Sequence, residues 1–143
     1  MNSEKIKLFL VDDDAVFLKA LEIEFLQHAD FTIEAFSNGE HCVENLTHDP
    51  DVIILDYYLD GISKDAINGI QTLDKIKSFN PDIPVVILSA QDKIEVAIDC
   101  MHHRAFDYIV KSETAFVRLQ KIISTIFRNR KMEKELSWYM ERM

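Results

Sequence analysis

Glycine and proline are scarce, three of each in 143 residues, and cysteine and tryptophan scarcer still, two and one. With so few glycines there is no glycine-rich loop to cradle a nucleotide, so any phosphate has to be held by other groups. The two cysteines, Cys42 and Cys100, fall in helical patterns with no CxxC or Cys/His ligand spacing. That excludes a cysteine zinc site and reads as free, reduced thiols of a cytosolic protein. Positive charge is also short: 16 Lys and Arg against 25 Asp and Glu give a formal net charge of −9. This balance argues against a nucleic-acid-binding surface in the segment. No apolar run approaches the roughly 18 residues that a membrane span needs. The opening MNSEKIKLFLVDDD runs into acids too soon for a signal peptide.

What the chain does have is alternation of apolar runs with helical patterns. IKLFLV (6–11), FTIEAF (31–36), DVIIL (51–55), PVVIL (84–88) and FDYIV (106–110) read as strands. Helices are expected over 14–29, about 39–47, 66–79, 92–103 and from 113 onward. Five strands interleaved with five helices predict a doubly wound α/β fold, a parallel sheet covered on both faces. Only FTIEAF alternates apolar and polar residues like an edge strand, which suits the strand order 2-1-3-4-5. Residues 1–128 make one domain and 129–143 a helical extension or linker. From Phe116 to Met143 neither proline nor glycine interrupts the last helix, a run of about 42 Å at 1.5 Å per residue. Met132, Leu136, Tyr139 and Met143 share one stripe of it, expected to meet a partner or lead into another domain.

The chemistry gathers in the residues just past the strands. Asp12, Asp13 and Asp14 come after the first, Asp56 after the third, Ser89 after the fourth and Lys111 after the fifth. Open α/β sheets bind ligands at the carboxyl ends of their strands, near the point where strand order reverses. Two carboxylates about 4 Å apart repel by roughly 4 kcal/mol at an effective dielectric of 20, so several acids together call for a hard cation. Magnesium fits best, since it takes oxygen ligands and leaves room for waters and a phosphate oxygen. Lys111 supplies a positive charge suited to phosphate, and Ser89 a hydroxyl that can donate to it. A carboxylate such as Asp56 can itself be the nucleophile, forming an aspartyl phosphate. Asp14 is expected to cap the helix after it. His102 and His103 read as a solvated helix end, because adjacent helical residues do not share a face.

In that order and spacing, FLVDDD, DVIILDYYLDG, PVVILSA and FDYIVK resemble the receiver domain of two-component response regulators, over residues 6 to about 128. The resemblance implies a flavodoxin-like, CheY-like fold, Asp56 as phosphoacceptor, and Mg2+ held by Asp12, Asp13, Asp56 and the Tyr58 carbonyl. It further implies Ser89 as the switch hydroxyl, Lys111 as the phosphate-pairing lysine and Tyr108 as the aromatic that changes rotamer. Tyr58, with Gln91 as an accessory, stands where bulk limits water access to the phosphoryl group. Implied partners are a sensor histidine kinase or histidine phosphotransfer protein as donor, and a protein target or fused output domain reached through the face of helix four, strand five and helix five. A homodimer through that face is expected, as is a cytoplasmic location.

Four positions depart from the family pattern. Ser112 stands after Lys111 where proline is usual, Asp60 and Lys64 replace a proline and a glycine, and Arg104 stands where glycine is common. GISKDAING (61–69) reads as an insertion before helix three. Without proline a cis peptide costs about 2.5–4 kcal/mol, so Lys111 is expected to reach the pocket by another backbone path. A competing pattern, D-x-D-x-V through Asp12, Asp14 and Val16, resembles haloacid-dehalogenase-like phosphatases with Asp12 as nucleophile. Those enzymes want a further acidic pair after the lysine and a cap domain, which residues 112–143 do not supply. A receiver serving only as a binding module is the third alternative, and the intact acids, Ser89 and Lys111 weigh against it.

Overall fold

The computed structural model describes residues 5–28, 31–59, 67–90 and 92–143. Its strands are β1 (Ile6–Val11), β2 (Phe31–Phe36), β3 (Val52–Asp56), β4 (Val85–Ser89) and β5 (Asp107–Val110). The helices are α1 (Ala15–His28), α2 (Gly39–Glu44), α3 (Gly69–Phe79), α4 (Ile94–His102) and α5 (Ala115–Glu141). All strand pairs are parallel, in the order β2-β1-β3-β4-β5, which is the predicted arrangement.

Strand parity divides the core in two. Leu8, Leu10, Val52, Ile54, Val86, Leu88 and Ile109 face α1 and α5, packing on Phe25, Leu119 and Ile123. Phe9, Val11, Ile53, Leu55, Val85 and Ile87 point the other way, onto Cys42, Leu73, Ile76 and Cys100 of α2, α3 and α4. β3 and β4 are buried along their whole length, and because a strand covered on both faces has no wet side they are apolar up to their last residues, Asp56 and Ser89.

Helix ends differ from the sequence expectation where local capping decides them. α3 begins at Gly69, not 66, because Asn68 accepts the Gln71 amide while the Gln71 side chain accepts the Asn68 amide, a reciprocal capping box. α2 ends at Glu44 and gives way to a single 3-10 turn, Leu46–His48. Asp14 caps α1 as expected, accepting the amides of Val16 and Phe17 at 3.1 Å. His102 is exposed, but His103 is engaged: its Nδ1 lies 2.7 Å from Asp74 on α3. That ion pair raises the His103 pKa, through the hydrogen bond to Asp74 first.

Only the first half of α5 belongs to the core. Ala115, Leu119, Ile123 and Ile126 are buried. Arg130 makes the last tie to the domain, donating to the Asp51 carboxylate at 3.2 Å and its carbonyl at 3.0 Å. Residues 131–143 are exposed throughout.

Candidate functional site

Register alone brings the acids together. Val11 pairs with Leu55, so the next residues, Asp12 and Asp56, leave adjacent strands side by side. Both continue the parity of Leu10 and Ile54, toward the α1 and α5 side, and Lys111 continues that of Ile109. Oxygens of Asp12, Asp13 and Asp56 lie within 4.8 Å of one another, with Asp12 and Asp56 buried. The Lys111 ammonium stands 2.8 Å from Asp12 Oδ2 and 3.7 Å from Asp56 Oδ2, and 4.5 Å from the centroid of the Phe17 ring. Lys111 reaches this point with no cis peptide among the described residues. Its backbone is anchored by the amide, which donates to the Ser89 carbonyl at 2.7 Å.

The backbone below the site is held close. Tyr57 donates its amide to the Leu88 carbonyl at 3.3 Å and accepts the Gly69 amide at 3.0 Å. A Cβ at Gly69 would lie 2.5 Å from the Tyr57 carbonyl oxygen and 2.6 Å from that of Asp56, so only glycine lets α3 seat directly beneath the end of β3. The sequence shows Gly69 only inside the capping stretch N-G-I-Q, residues 68–71, with nothing to say that it meets β3.

Electrostatics reflect the crowding. The Asp56 carboxyl is pushed up to about 7, by burial first and then by the negative charge of Asp12, with Lys111 and the Tyr58 amide pulling the other way. For Lys111, burial disfavours the charged form, but the hydrogen bond to Asp12 and the charges of Asp56 and Asp12 outweigh it and the pKa rises. One ammonium therefore faces more carboxylate than it can neutralise. Three hard oxygen donors with surplus negative charge are a donor set that fits a divalent cation.

Ser89 and Tyr108 take the opposite parity, on the α3 and α4 side. Ser89 is fully buried at the end of β4. Tyr108 sits one strand over, where Ile87 is its register partner. Its ring packs on the second core cluster, and a hydrogen bond joins its hydroxyl to the Ser89 side chain. Tyr58 is exposed and packs edge-on against Tyr57, ring centroids 4.8 Å apart. Gln91, Asp60 and Lys64 lie outside the described residues. Asp14, the second acid of the competing phosphatase pattern, spends its carboxylate on capping α1.

A five-stranded parallel sheet in this order, with acids and a lysine at its carboxyl edge, defines a flavodoxin-like signalling domain. The chain belongs to the response regulator receiver domain family of two-component systems, whose pattern matches residues 8–124. It is 30% identical over 124 residues to the transcriptional regulatory protein ZraR of Klebsiella oxytoca, covering 87% of this chain and 27% of ZraR. It is 36% identical over 119 residues to a protein-glutamate methylesterase/protein-glutamine glutaminase of Clostridium acetobutylicum, covering 79% of this chain and 32% of that protein. The chain thus spans about a third or less of these curated relatives. Among solved structures, one of the CheX-CheY-BeF3-Mg+2 complex from Borrelia burgdorferi matches with a TM-score of 0.74 and 25% identity, covering 85% of this chain and 89% of that one. NtrX of Brucella abortus shares the fold at a TM-score of 0.81 and 23% identity, over 98% of this chain and 31% of its own. Among the described residues no helix is long and apolar enough to cross a membrane.

Proposed function

We propose that this receiver domain is a phosphoacceptor switch. An oxygen of the Asp56 carboxylate attacks the phosphorus of a phosphohistidine on a sensor kinase or phosphotransfer protein. The P–N bond breaks, the imidazole leaves, and an acyl phosphate forms on Asp56. The observation that carries this reading is the convergence of Asp12, Asp13 and Asp56 oxygens within 4.8 Å, with the Lys111 ammonium beside them.

Asp12, Asp13, Asp56 and the Tyr58 carbonyl would hold Mg2+, which when bound neutralises carboxylate and phosphoryl charge. Lys111 pairs with a phosphoryl oxygen as the acid it now faces becomes an anhydride. Ser89 donates its hydroxyl to the phosphoryl group, and in doing so gives up the hydrogen bond to Tyr108. Freed from that bond, Tyr108 changes rotamer, and the change is read on the surface of α4, β5 and α5, where Ile94, Ile98, Met101 and Phe106 are exposed. The reader is a protein target or a fused output domain. Apart from its own phosphorylation and dephosphorylation the domain catalyses nothing, and the histidine donor puts it in the cytoplasm. The BeF3 and Mg+2 named for the Borrelia burgdorferi complex are a phosphoryl mimic and a divalent cation in a related chain, which supports the reading.

Incubation with magnesium and acetyl phosphate tests it. One phosphoryl group should be gained by mass and mapped to Asp56, and Asp56→Asn should gain none. Labelling at Asp12 instead, or steady turnover of phosphomonoesters, would overturn the switch in favour of a phosphatase.

A further inference from the structure

The helix α5 outlasts the domain it belongs to, and its surplus carries a pattern the family match does not cover. The receiver pattern ends at residue 124, and among the described residues the last hydrogen bond to the domain is that of Arg130 to Asp51. Beyond it, apolar side chains stand in water: Leu136 is 61% exposed and Tyr139 62%. Their spacing is a heptad. With Asn129, Leu136 and Met143 at position a, Thr125, Met132 and Tyr139 fall at d. At about 100° per residue this seam lies roughly a third of a turn from the buried face of Leu119, Ile123 and Ile126, and from Met132 to Met143 it is exposed for a second helix to cover.

We propose that two copies of this chain associate through these helices as a parallel, in-register two-stranded coiled coil. Two sequence features select that occupant over others. A single Asn at an a position specifies two strands and fixes register, because it is satisfied only by its own copy across the axis. An antiparallel pair would set Asn129 against an apolar residue. Charge agrees: Arg128 falls at g and Glu133 at the next e, five residues on, the pair that faces across a parallel dimer interface. Arg128 and Glu133 are both exposed, on either side of the seam. The contact does not rest on phosphorylation of Asp56.

Sedimentation equilibrium of the whole chain, from micromolar to millimolar, tests this. The mass should rise from 16.6 kDa toward twice that value and stop there. Leu136→Lys should stay monomeric at every concentration while keeping the parent's circular dichroism and melting temperature, since the position touches nothing in the domain. Arg128→Glu should weaken the dimer about five-fold, and Glu133→Arg added to it should restore the parent affinity. Tyr139→Cys should cross-link quantitatively under mild oxidation, as thiols at a d position meet only in the parallel register; Cys42 and Cys100 are buried and do not compete. A chain monomeric to millimolar, a mass settling at three copies, a dimer that Leu136→Lys leaves intact, or failure of Tyr139→Cys to cross-link would each overturn the proposal.

Discussion

Lys111 bonds to Asp12 more closely than to Asp56, at 2.8 Å against 3.7 Å. The ammonium therefore serves as counter-charge to the pocket as a whole and is not dedicated to Asp56. Replacing it with an isosteric apolar chain, Lys111→Met, leaves two buried carboxylates with no cation. Losing one partner of a buried pair costs about 3–5 kcal/mol, and with the lysine partly open to water a loss of about 2–3 kcal/mol is expected. Urea unfolding in EDTA at pH 7.5 measures it; a variant as stable as the parent would mean the ion pairs contribute nothing.

The raised Asp56 pKa sets a pH dependence with a definite sign. The folded-state value of about 7 stands above the ordinary 3.8, so the folded chain keeps a proton that the unfolded chain gives up. Where the unfolded state binds fewer protons, stability falls as pH rises. The Asp56 contribution is thus neutral below about pH 4 and increasingly destabilising from there to about pH 7, then level. Asp56→Asn should remove that slope and, in EDTA at pH 7.5, be more stable than the parent by about 1–3 kcal/mol. Urea midpoints for the two proteins at pH 5, 6, 7 and 8 make the comparison. Parallel curves would show that Asp56 does not carry the strain.

Gly69 controls how closely α3 approaches the site. The Cβ of Gly69→Ala would meet two backbone carbonyl oxygens at 2.5 and 2.6 Å, and backbone cannot rotate away as a side chain can. Overpacking of this kind costs about 1–3 kcal/mol. Displacement of Tyr57 also shifts Asp56, so the rate of phosphorylation by acetyl phosphate should fall under conditions where the variant is still fully folded. A variant that melts lower but labels at the parent rate would confine Gly69 to packing.

How far the sequence discloses all this depends on how local the cause is. The strands are legible because burial on both faces leaves an unbroken apolar run, as in Val52–Leu55, and the β2 edge because FTIEAF alternates apolar and polar residues. Asp12, Asp56, Ser89 and Lys111 stand out because each lies at the carboxyl end of a strand, where an apolar run gives way to a polar residue. Their division into two groups is a matter of strand parity, readable only with the register in hand. The start of α3 is spelled by the capping box N-G-I-Q, residues 68–71, but the apolar spacing of Ile67 and Ile70 outweighs it and draws the expected helix back to 66. The tie of Arg130 to Asp51 spans 79 positions, and no periodicity announces such a pair. Likewise nothing local says that Gly69 will lie on Tyr57, since that contact belongs to the docking of α3 on the sheet.

Arg104 is strained in a way that a single substitution can release. Its φ is 70°, in the left-handed region, and it stands just past the His103 cap of α4. The Arg104 amide donates to the Met101 carbonyl and the Ala105 amide to that of Cys100, both at 3.1 Å, which is the Schellman closure that favours glycine at this position. A side chain there costs roughly 1–2 kcal/mol. Arg104→Gly is expected to stabilise the fold by about 1 kcal/mol, part of the gain being offset by the greater freedom of glycine in the unfolded chain. Charge is a rival explanation, because the guanidinium helps burial to lower the pKa of Lys77, whose buried amine donates to the Ile83 carbonyl at 2.6 Å. Arg104→Ala separates the two: it removes the charge but keeps the Cβ at φ 70°. Thermal melts should rank Gly above Ala, with Ala close to the parent; Ala matching Gly would assign the gain to charge and leave the backbone unstrained.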